Sequence, residues 1–200
     1  VNNGLTTTQV ASLAELGANL FVSTLNKGVF RSDNQGQSWS PTGALPAGPI
    51  YTLAVSGTNL LAGVLGQAIY RSADNGATWT ISAGGFLHAG VYNLYASGGN
   101  VFAAGGSSLG VLRSTDNGLN WTMLNKGLDP RYALGFHVSG PTLYAAGFSG
   151  LYASKLLVNP QTTASAASYS VSAMTEKSIV AAFGPTLSTG IAGEIGRAHV

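Results

Sequence analysis

Carboxylates are scarce among the side chains of this sequence that could do chemistry. The 200 residues include only seven acids. Three of these lie in a repeated segment described below and one lies in the last seven residues, which leaves Glu15, Asp129 and Glu176. Glycoside hydrolysis uses two carboxyl groups that face each other across the scissile bond. The sequence therefore offers no convincing pair, and we assign no catalytic residue.

The histidines and glycine-rich segments give no metal or phosphate site. His88 and His137 are isolated in sequence from each other and from any carboxylate, and the chain has no cysteine. Zinc sites normally gather three or four such ligands. Gly105–Gly110 lacks the following helix and Lys-Ser/Thr pair of a phosphate loop. We expect no metal ion and no cofactor.

The composition describes a folded chain with many turns and few charges. Hydrophobic residues make up 45% and charged residues 8% of the sequence, and there are 28 glycines. A typical globular protein has about 25% charged residues. The net charge of +2 gives no basic surface, so nucleic acid is not an expected partner. The apolar runs are also far shorter than the roughly 20 residues of a membrane helix.

A nine-residue segment occurs three times. Each copy, here called a box, has the pattern Arg-Ser-x-Asp/Asn-x-Gly-x-x-Trp, and the tryptophans are 40 and 42 residues apart. An apolar segment precedes each box, and a fourth such segment follows without a box. The pattern positions are Ser32, Asn34, Gly36 and Trp39; Ser72, Asp74, Gly76 and Trp79; and Ser114, Asp116, Gly118 and Trp121.

The residues between the boxes show the pattern of short strands separated by Gly, Ser and Asn. In the second unit we predict strands over 50–55, 59–64, 68–72 and 79–82. A repeat of about 40 residues with four strands is typical of a propeller blade. The sequence therefore predicts an all-β protein, a β-propeller of four-stranded antiparallel blades, of which about four are present. The fourth unit, 132–155, shows three strands.

Each box is predicted to be a hairpin corner. Ser72 and Asp74 can accept hydrogen bonds from backbone amides, Gly76 can adopt a positive φ, and Trp79 can anchor the returning strand in the core. The first box has Asn34 in place of the aspartate, so it lacks charge assistance. We expect that corner to be the weakest of the three.

The boxes resemble the Asp-box, or bacterial neuraminidase repeat, over about residues 5–157. This repeat occurs in sialidases, xyloglucan-cleaving glycosidases, sortilin-type receptors and photosystem II assembly and stability factors. The resemblance implies that the boxes lie at the outer rim, remote from any binding face. A sialidase-like site would also need clustered arginines, but Arg31, Arg71 and Arg113 recur on successive units and cannot converge.

The axial face of such a propeller is formed by the loops that enter each first strand and those that join the second and third strands. Asn26, Lys27, Asn125 and Lys126 belong to these loops. Aromatic and amide side chains on a nearly uncharged scaffold suit a carbohydrate or protein ligand. The candidate ligand-binding residues are His88, Tyr92, Asp129, Arg131 and Tyr132.

Four segments are expected along the chain. Residues 1–157 form the blades, 158–170 a linker, and 171–193 resemble the start of an immunoglobulin-like domain of large secreted bacterial proteins. Residues 194–200 resemble an in-frame translated sequencing adapter. The resembling families mostly have six or more blades, so further blades are expected upstream, and a strand from the other terminus could complete the fourth unit.

Two functions remain open at this point. One is a noncatalytic extracellular or cell-surface propeller that binds a glycan or a protein. The alternative is part of a sialidase-like or xyloglucanase-like glycoside hydrolase whose catalytic residues lie in upstream blades. The sequence does not specify the ligand or the oligomeric state.

Overall fold

The computed structural model describes residues 2–82, 90–105, 110–124, 133–147 and 150–156, together with the backbone of 179–182. These residues form four antiparallel sheets of four strands each. Within them there is no helix that is long and apolar enough to cross a bilayer. The prediction of an all-β chain built from four-stranded antiparallel units is confirmed.

Each sheet takes its four strands in chain order. The first contains β1 (Val10–Leu16), β2 (Asn19–Thr24), β3 (Val29–Ser32) and β4 (Ser40–Pro41). The second contains β5 (Ile50–Ser56), β6 (Asn59–Val64), β7 (Ile69–Ser72) and β8 (Thr80–Ile81). The third contains β9 (Val91–Ser97), β10 (Asn100–Gly105), β11 (Val111–Ser114) and β12 (Thr122–Met123). The fourth contains β13 (Ala133–Ser139), β14 (Thr142–Gly147), β15 (Gly150–Lys155) and β16 (Ile179–Ala182).

The predicted strands of the second unit agree closely with β5 to β8. The largest difference is at the last strand, predicted over 79–82 and observed as Thr80–Ile81. The Ser82 N–H still donates to the Ile69 carbonyl at 3.0 Å, so the pairing continues one residue beyond the strand.

Successive sheets pack face to face, beginning with contacts between the neighbouring first strands β1, β5, β9 and β13. We call the side of a sheet that meets the next sheet its forward face and the opposite side its rear face. Phe21 on the forward face of the first sheet is fully buried against Ile50 and Leu60 on the rear face of the second. Equivalent clusters join the second sheet to the third and the third to the fourth. Burial of these apolar faces is the main force that stacks the sheets.

A β-bulge near the start of each first strand adds polar contacts between sheets. The register skips one residue at Ala11, Tyr51, Tyr92 and Leu134. The residue after the bulge then reaches the next sheet in three cases: Ser12 Oγ accepts from Leu53 N–H at 3.0 Å, Thr52 Oγ1 accepts from Leu94 N–H at 2.9 Å, and Asn93 Nδ2 donates to Leu134 O at 2.5 Å.

The fourth sheet is completed by a strand from the C-terminal part of the chain. β16 pairs with β15 from Leu151↔Ala182 to Ser154↔Ile179. The sequence places these residues in the segment that resembles the start of an immunoglobulin-like domain, and it offers a strand from the other terminus as one that could complete the fourth unit. In the structure the exposed edge of β15, whose backbone groups require partners, takes up this strand. The other boundaries of the linker and the appended domain lie outside the described residues.

Candidate functional site

The boxes form the hairpin corners between the third and fourth strands. In the second box, Ser72 Oγ accepts the Gly76 N–H at 2.8 Å and donates to Asp74 Oδ1 at 2.8 Å. Asp74 in turn accepts the Thr78 N–H at 2.9 Å and the Thr78 hydroxyl at 2.5 Å. In the third box, Ser114, Asp116 and Asn120 form the corresponding bonds.

The first box reaches the same geometry without a carboxylate. Asn34 Oδ1 accepts the Ser38 N–H at 2.9 Å, in the same way as the aspartates of the other boxes. Asn34 Nδ2 donates to Ser38 Oγ at 2.7 Å, so the direction of this last bond is reversed. The amide therefore keeps every connection of the corner, although none is charge-assisted.

Two successive residues in each box have a positive φ. The glycine has φ near 80° in all three, and the residue before it has φ of 57° to 59°. The box pattern predicts this conformation for the glycine alone. Asn is one of the few non-glycine residues that enter this region readily, so the asparagines are a usable signal. The preceding residues are Gln35, Asn75 and Asn117.

Hydrogen bonding keeps the box carboxylates ionised. The hydroxyl and backbone N–H of Thr78, followed by Ser72, lower the pKa of Asp74 from 3.8 to about 2. At Asp116 desolvation acts to raise the pKa, but the bonds from Asn120, Ser114 and Leu119 outweigh it and the pKa is lowered. A general acid must carry a proton near the working pH. These two side chains are therefore unsuited to that role.

The second and third boxes also attach their sheets to the preceding sheet. A Cβ added to Gly118 would lie 2.5 Å from Leu61 Cδ2 of the second sheet, and one added to Gly76 would lie 3.4 Å from Phe21 of the first. Ser56 Oγ donates to Asn117 Oδ1 at 2.9 Å. The tryptophans belong to three different core clusters and do not gather around one pocket.

The three arginines that begin the boxes lie on three different sheets. Arg31 pairs in register with Ser40, Arg71 with Thr80, and Arg113 with Thr122. Arg113 Nε donates to Asn100 Oδ1 at 2.8 Å within its own sheet, and Arg31 lies 3.9 Å from Asp33. The arginines thus do not converge on a single anion site.

At the end of the sheets opposite the boxes, the loop that enters the first strand lies beside the loop between the second and third strands. In the first sheet, Leu25 N–H donates to Gln9 O at 3.0 Å and Asn26 Nδ2 donates to Gln9 Oε1 at 2.9 Å. In the second sheet, Leu65 N–H donates to Pro49 O at 2.8 Å. In these two sheets the bonds join the loop that enters the first strand to the loop between the second and third strands. We call this end of the sheets the loop face.

Two tyrosines meet at the loop face. Tyr51 and Tyr92 are the bulge residues of β5 and β9, and their ring centroids are 5.8 Å apart with the planes tilted by 40°. Tyr51 is 38% exposed. A Cβ on Gly90 would lie 2.6 Å from Leu65 Cδ1 and 2.9 Å from Tyr92 Cε2, so the glycine allows both side chains to approach. The result is an aromatic platform with an apolar border.

Of the candidate binding residues, Tyr92 lies on this platform. His88, Asp129, Arg131 and Tyr132 lie outside the described residues, as do Asn125 and Lys126. Sequence reasoning missed Tyr51. The available signal was its position: Tyr51 and Tyr92 each follow the first residue of the first strand of their unit.

Glu15 lines a groove along the first strands β1, β5 and β9. This groove of about 280 Å³ is lined by Leu13, Glu15, Leu53, Leu94, Tyr95 and their neighbours. In the part of the chain that the structure describes, no group of three or more His, Asp or Glu side chains is placed to hold a metal ion. Glu15 by itself does not supply the acid and base pair of glycoside hydrolysis.

The fold and these sites define an all-β protein of the propeller class. A scan against protein families finds no match, and a search of curated proteins finds none. Among solved structures, the chain is similar to an ancestral GH74 enzyme, with TM-score 0.61 and 18% identity over 76% of this chain and 23% of that one.

Two further similar structures are not described as enzymes. YCF48 bound to D1 peptide aligns with TM-score 0.57 and 18% identity over 76% of this chain and 54% of that one. PorZ, an essential bacterial surface component of the type-IX secretion system of Porphyromonas gingivalis, aligns with TM-score 0.56 and 17% identity over 76% of this chain and 20% of that one. The chain thus spans about a quarter of the GH74 structure and about half of YCF48. At these identities the similarity shows the fold.

Proposed function

We propose that this chain is a noncatalytic propeller module that binds a glycan or a protein segment at its loop face. The Tyr51–Tyr92 pair is the observation that carries the proposal. Tyrosine offers a large, rigid contact area together with a hydroxyl, and such side chains dominate binding sites on otherwise neutral surfaces. The bulges that hold both rings belong to paired strands, so the platform is preorganised.

The roles of the remaining polar groups support binding over catalysis. Asp74 and Asp116 are occupied in hairpin corners, and the arginines of the repeat lie on separate sheets. The peptide-bound state of the similar YCF48 structure supports a protein ligand for this fold. The box pattern supports assignment of the repeat as an Asp-box.

An extracellular or cell-surface location forms part of the proposal. It is supported by the resemblance of the C-terminal segment to secreted bacterial proteins and by the surface location stated for PorZ.

The second candidate is part of a glycoside hydrolase. The GH74 similarity favours it, because the chain covers only 23% of that structure and the paired carboxylates would lie elsewhere in a longer protein. Within this chain, Glu15 in the groove or Asp129 could supply at most one member of such a pair.

A binding screen tests the first proposal. The purified chain is applied to immobilised glycans and to a peptide library, and the selected ligand is titrated by calorimetry. We expect Tyr51→Ser and Tyr92→Ser to weaken binding by at least about tenfold. Ile81→Ser, at an exposed position on β8, is the matched control and should bind normally. Equal affinity in all four proteins would contradict the assignment of the loop face.

A turnover assay tests whether this chain is catalytic by itself. Sialyl and xyloglucan oligosaccharides are incubated with the unmodified chain, and the products are followed by chromatography. We expect no cleavage. Cleavage that is abolished by Asp129→Asn or Glu15→Gln would support the hydrolase and overturn the noncatalytic proposal.

A further inference from the structure

The dipeptide Asn-Gly occurs in the second and third boxes, as Asn75-Gly76 and Asn117-Gly118, and once outside the boxes. An asparagine before a glycine readily loses its side-chain amide. The backbone nitrogen of the glycine gives up its proton and attacks the asparagine Cγ, the bond from Cγ to Nδ2 breaks, and the departing group takes up a proton and leaves as ammonia. Water then opens the resulting succinimide to aspartate or isoaspartate. Both box pairs follow an aspartate, so their local sequences are matched.

The attacking nitrogen is held in the same way in both boxes. The Gly76 N–H donates to Ser72 Oγ at 2.8 Å, and the Gly118 N–H donates to Ser114 Oγ at 2.9 Å. Both glycines are buried. Because the nitrogen must leave this bond before it can attack, the serine hydroxyl slows the reaction in each folded box.

The side chain under attack is fixed in the third box. Asn117 Oδ1 accepts the Ser56 hydroxyl of the preceding sheet at 2.9 Å. A Cβ on Gly57 would lie 3.2 Å from the same oxygen and 3.4 Å from Asn117 Cγ, so the side chain also packs against this turn. Rotation of Cγ toward the glycine nitrogen would break both contacts.

The equivalent side chain in the second box has neither contact. Leu16 stands in the first sheet where Ser56 stands in the second, so no hydroxyl is available. A Cβ on Gly17 of the same turn would have no atom within 4 Å. Asn75 is exposed, and its side chain has no hydrogen-bond partner among the residues that the structure describes. The Asn75 amide is therefore free to rotate toward the glycine nitrogen.

We propose that Asn75 is a site of spontaneous deamidation, and that the Ser72 hydroxyl sets its rate. The isoaspartate product carries the main chain through the former side chain, which adds one carbon atom to the backbone and leaves a new carboxylate. Gly76 O accepts the Gly43 N–H at 2.7 Å across the junction between the first two sheets. Deamidation of Asn75 therefore weakens that junction.

Peptide mapping by mass spectrometry after incubation at mildly alkaline pH tests the proposal, with chromatography to separate the aspartate and isoaspartate products. In the folded chain Asn75 should convert at least about fivefold faster than Asn117, because only Asn117 has a hydrogen bond to lose. Ser56→Ala removes that bond and should bring Asn117 close to the rate of Asn75. In concentrated urea the two sites should convert at similar rates, since their neighbours in sequence match.

Two substitutions in the second box test its own geometry. Ser72→Ala removes the acceptor of the Gly76 N–H and should speed conversion of Asn75 by at least about fivefold while leaving Asn117 unchanged. Asn75→Gln is the matched control, because Gln35 already has a φ of 58° at this position of the first box. The longer side chain would have to close a six-membered ring, so this variant should stay unmodified. After incubation, the unmodified chain should unfold at a lower urea concentration, whereas Asn75→Gln should keep its midpoint.

The unmodified chain alone can overturn the proposal. Conversion of Asn117 as fast as Asn75 in the folded protein, or the same rate ratio in urea, would show that the structure does not select Asn75. An unchanged Asn75 rate in Ser72→Ala, with folding checked by circular dichroism, would rule out the protective role of the hydroxyl. An equal loss of stability in incubated Asn75→Gln would contradict the effect on the junction.

Discussion

Thr52 and Leu94 join β5 and β9, the first strands of the second and third sheets, through one hydrogen bond. Thr52 Oγ1 accepts the Leu94 N–H at 2.9 Å, and both residues are buried. The preceding bulge at Tyr51 sets the orientation of Thr52, so the same local irregularity places a tyrosine of the aromatic platform and a contact between sheets. Ser12 forms the equivalent bond to Leu53 one sheet earlier.

Thr52→Val should destabilise the protein by about 1–3 kcal/mol, because the shape is kept while the buried Leu94 N–H loses its acceptor. Thr52→Ser keeps the hydroxyl and should recover most of that loss. The measurement is the free energy of unfolding in urea. Thr80→Val is the control, since Thr80 forms an exposed 3.3 Å bond to Arg71 O, and its effect should stay within about 0.5 kcal/mol. Equal losses at both threonines would contradict this role of Thr52.

Gly118→Ala should cost more than Gly66→Ala. The two glycines have similar φ values of 79° and 73°, so the backbone strain of adding a Cβ is similar. At Gly118 the new Cβ would also meet Leu61, whereas at Gly66 no atom lies within 4 Å. We expect an additional cost of about 1–3 kcal/mol from this overpacking, measured by urea unfolding. If the two variants unfold at the same midpoint, the box glycine does not serve as a contact between sheets.

Asp74→Asn should make the protein less sensitive to acid. The pKa of Asp74 is about 2 in the folded protein and ordinarily 3.8, so its ionised form adds stability above pH 3.8, and this contribution is lost as the pH falls through about 2. Chemical unfolding across that window should show a smaller decline in the variant than in the unmodified chain. The pKa of Asp116 is also lowered, so Asp74→Asn with Asp116→Asn should flatten the profile further. An unchanged acid profile in the double variant would rule out this source of acid sensitivity.

Asn34→Asp should strengthen the first corner at neutral pH. The Ser38 hydroxyl can reverse its bond and donate to the new carboxylate, as Thr78 does to Asp74. Charge-assisted bonds are the stronger kind, so we expect a gain of about 0.5–1 kcal/mol that disappears on acidification. Gln37→Glu adds the same charge at an exposed position in the same box and is the control. A loss of stability specific to Asn34→Asp would show that the amide, and not the carboxylate, is preferred there.

The sequence by itself determined the repeat, the four-stranded units and the residues of each corner. The bonds of a box join residues at most four positions apart, from Ser72 to Gly76 and from Asp74 to Thr78. Such local contacts follow from residue type and spacing. Strand positions followed equally well, because the apolar segments recur at a constant distance from the boxes.

Only the tertiary structure decided which residues from different units meet. Tyr51 and Tyr92 belong to different sheets, and their rings approach because each strand has a bulge at the same position and the sheets stack in order. The placement of β16 beside β15 depends in the same way on which sheet edges are covered. The residue types show that a face of a sheet is apolar. The stacking of the sheets determines which neighbouring residues bury that face.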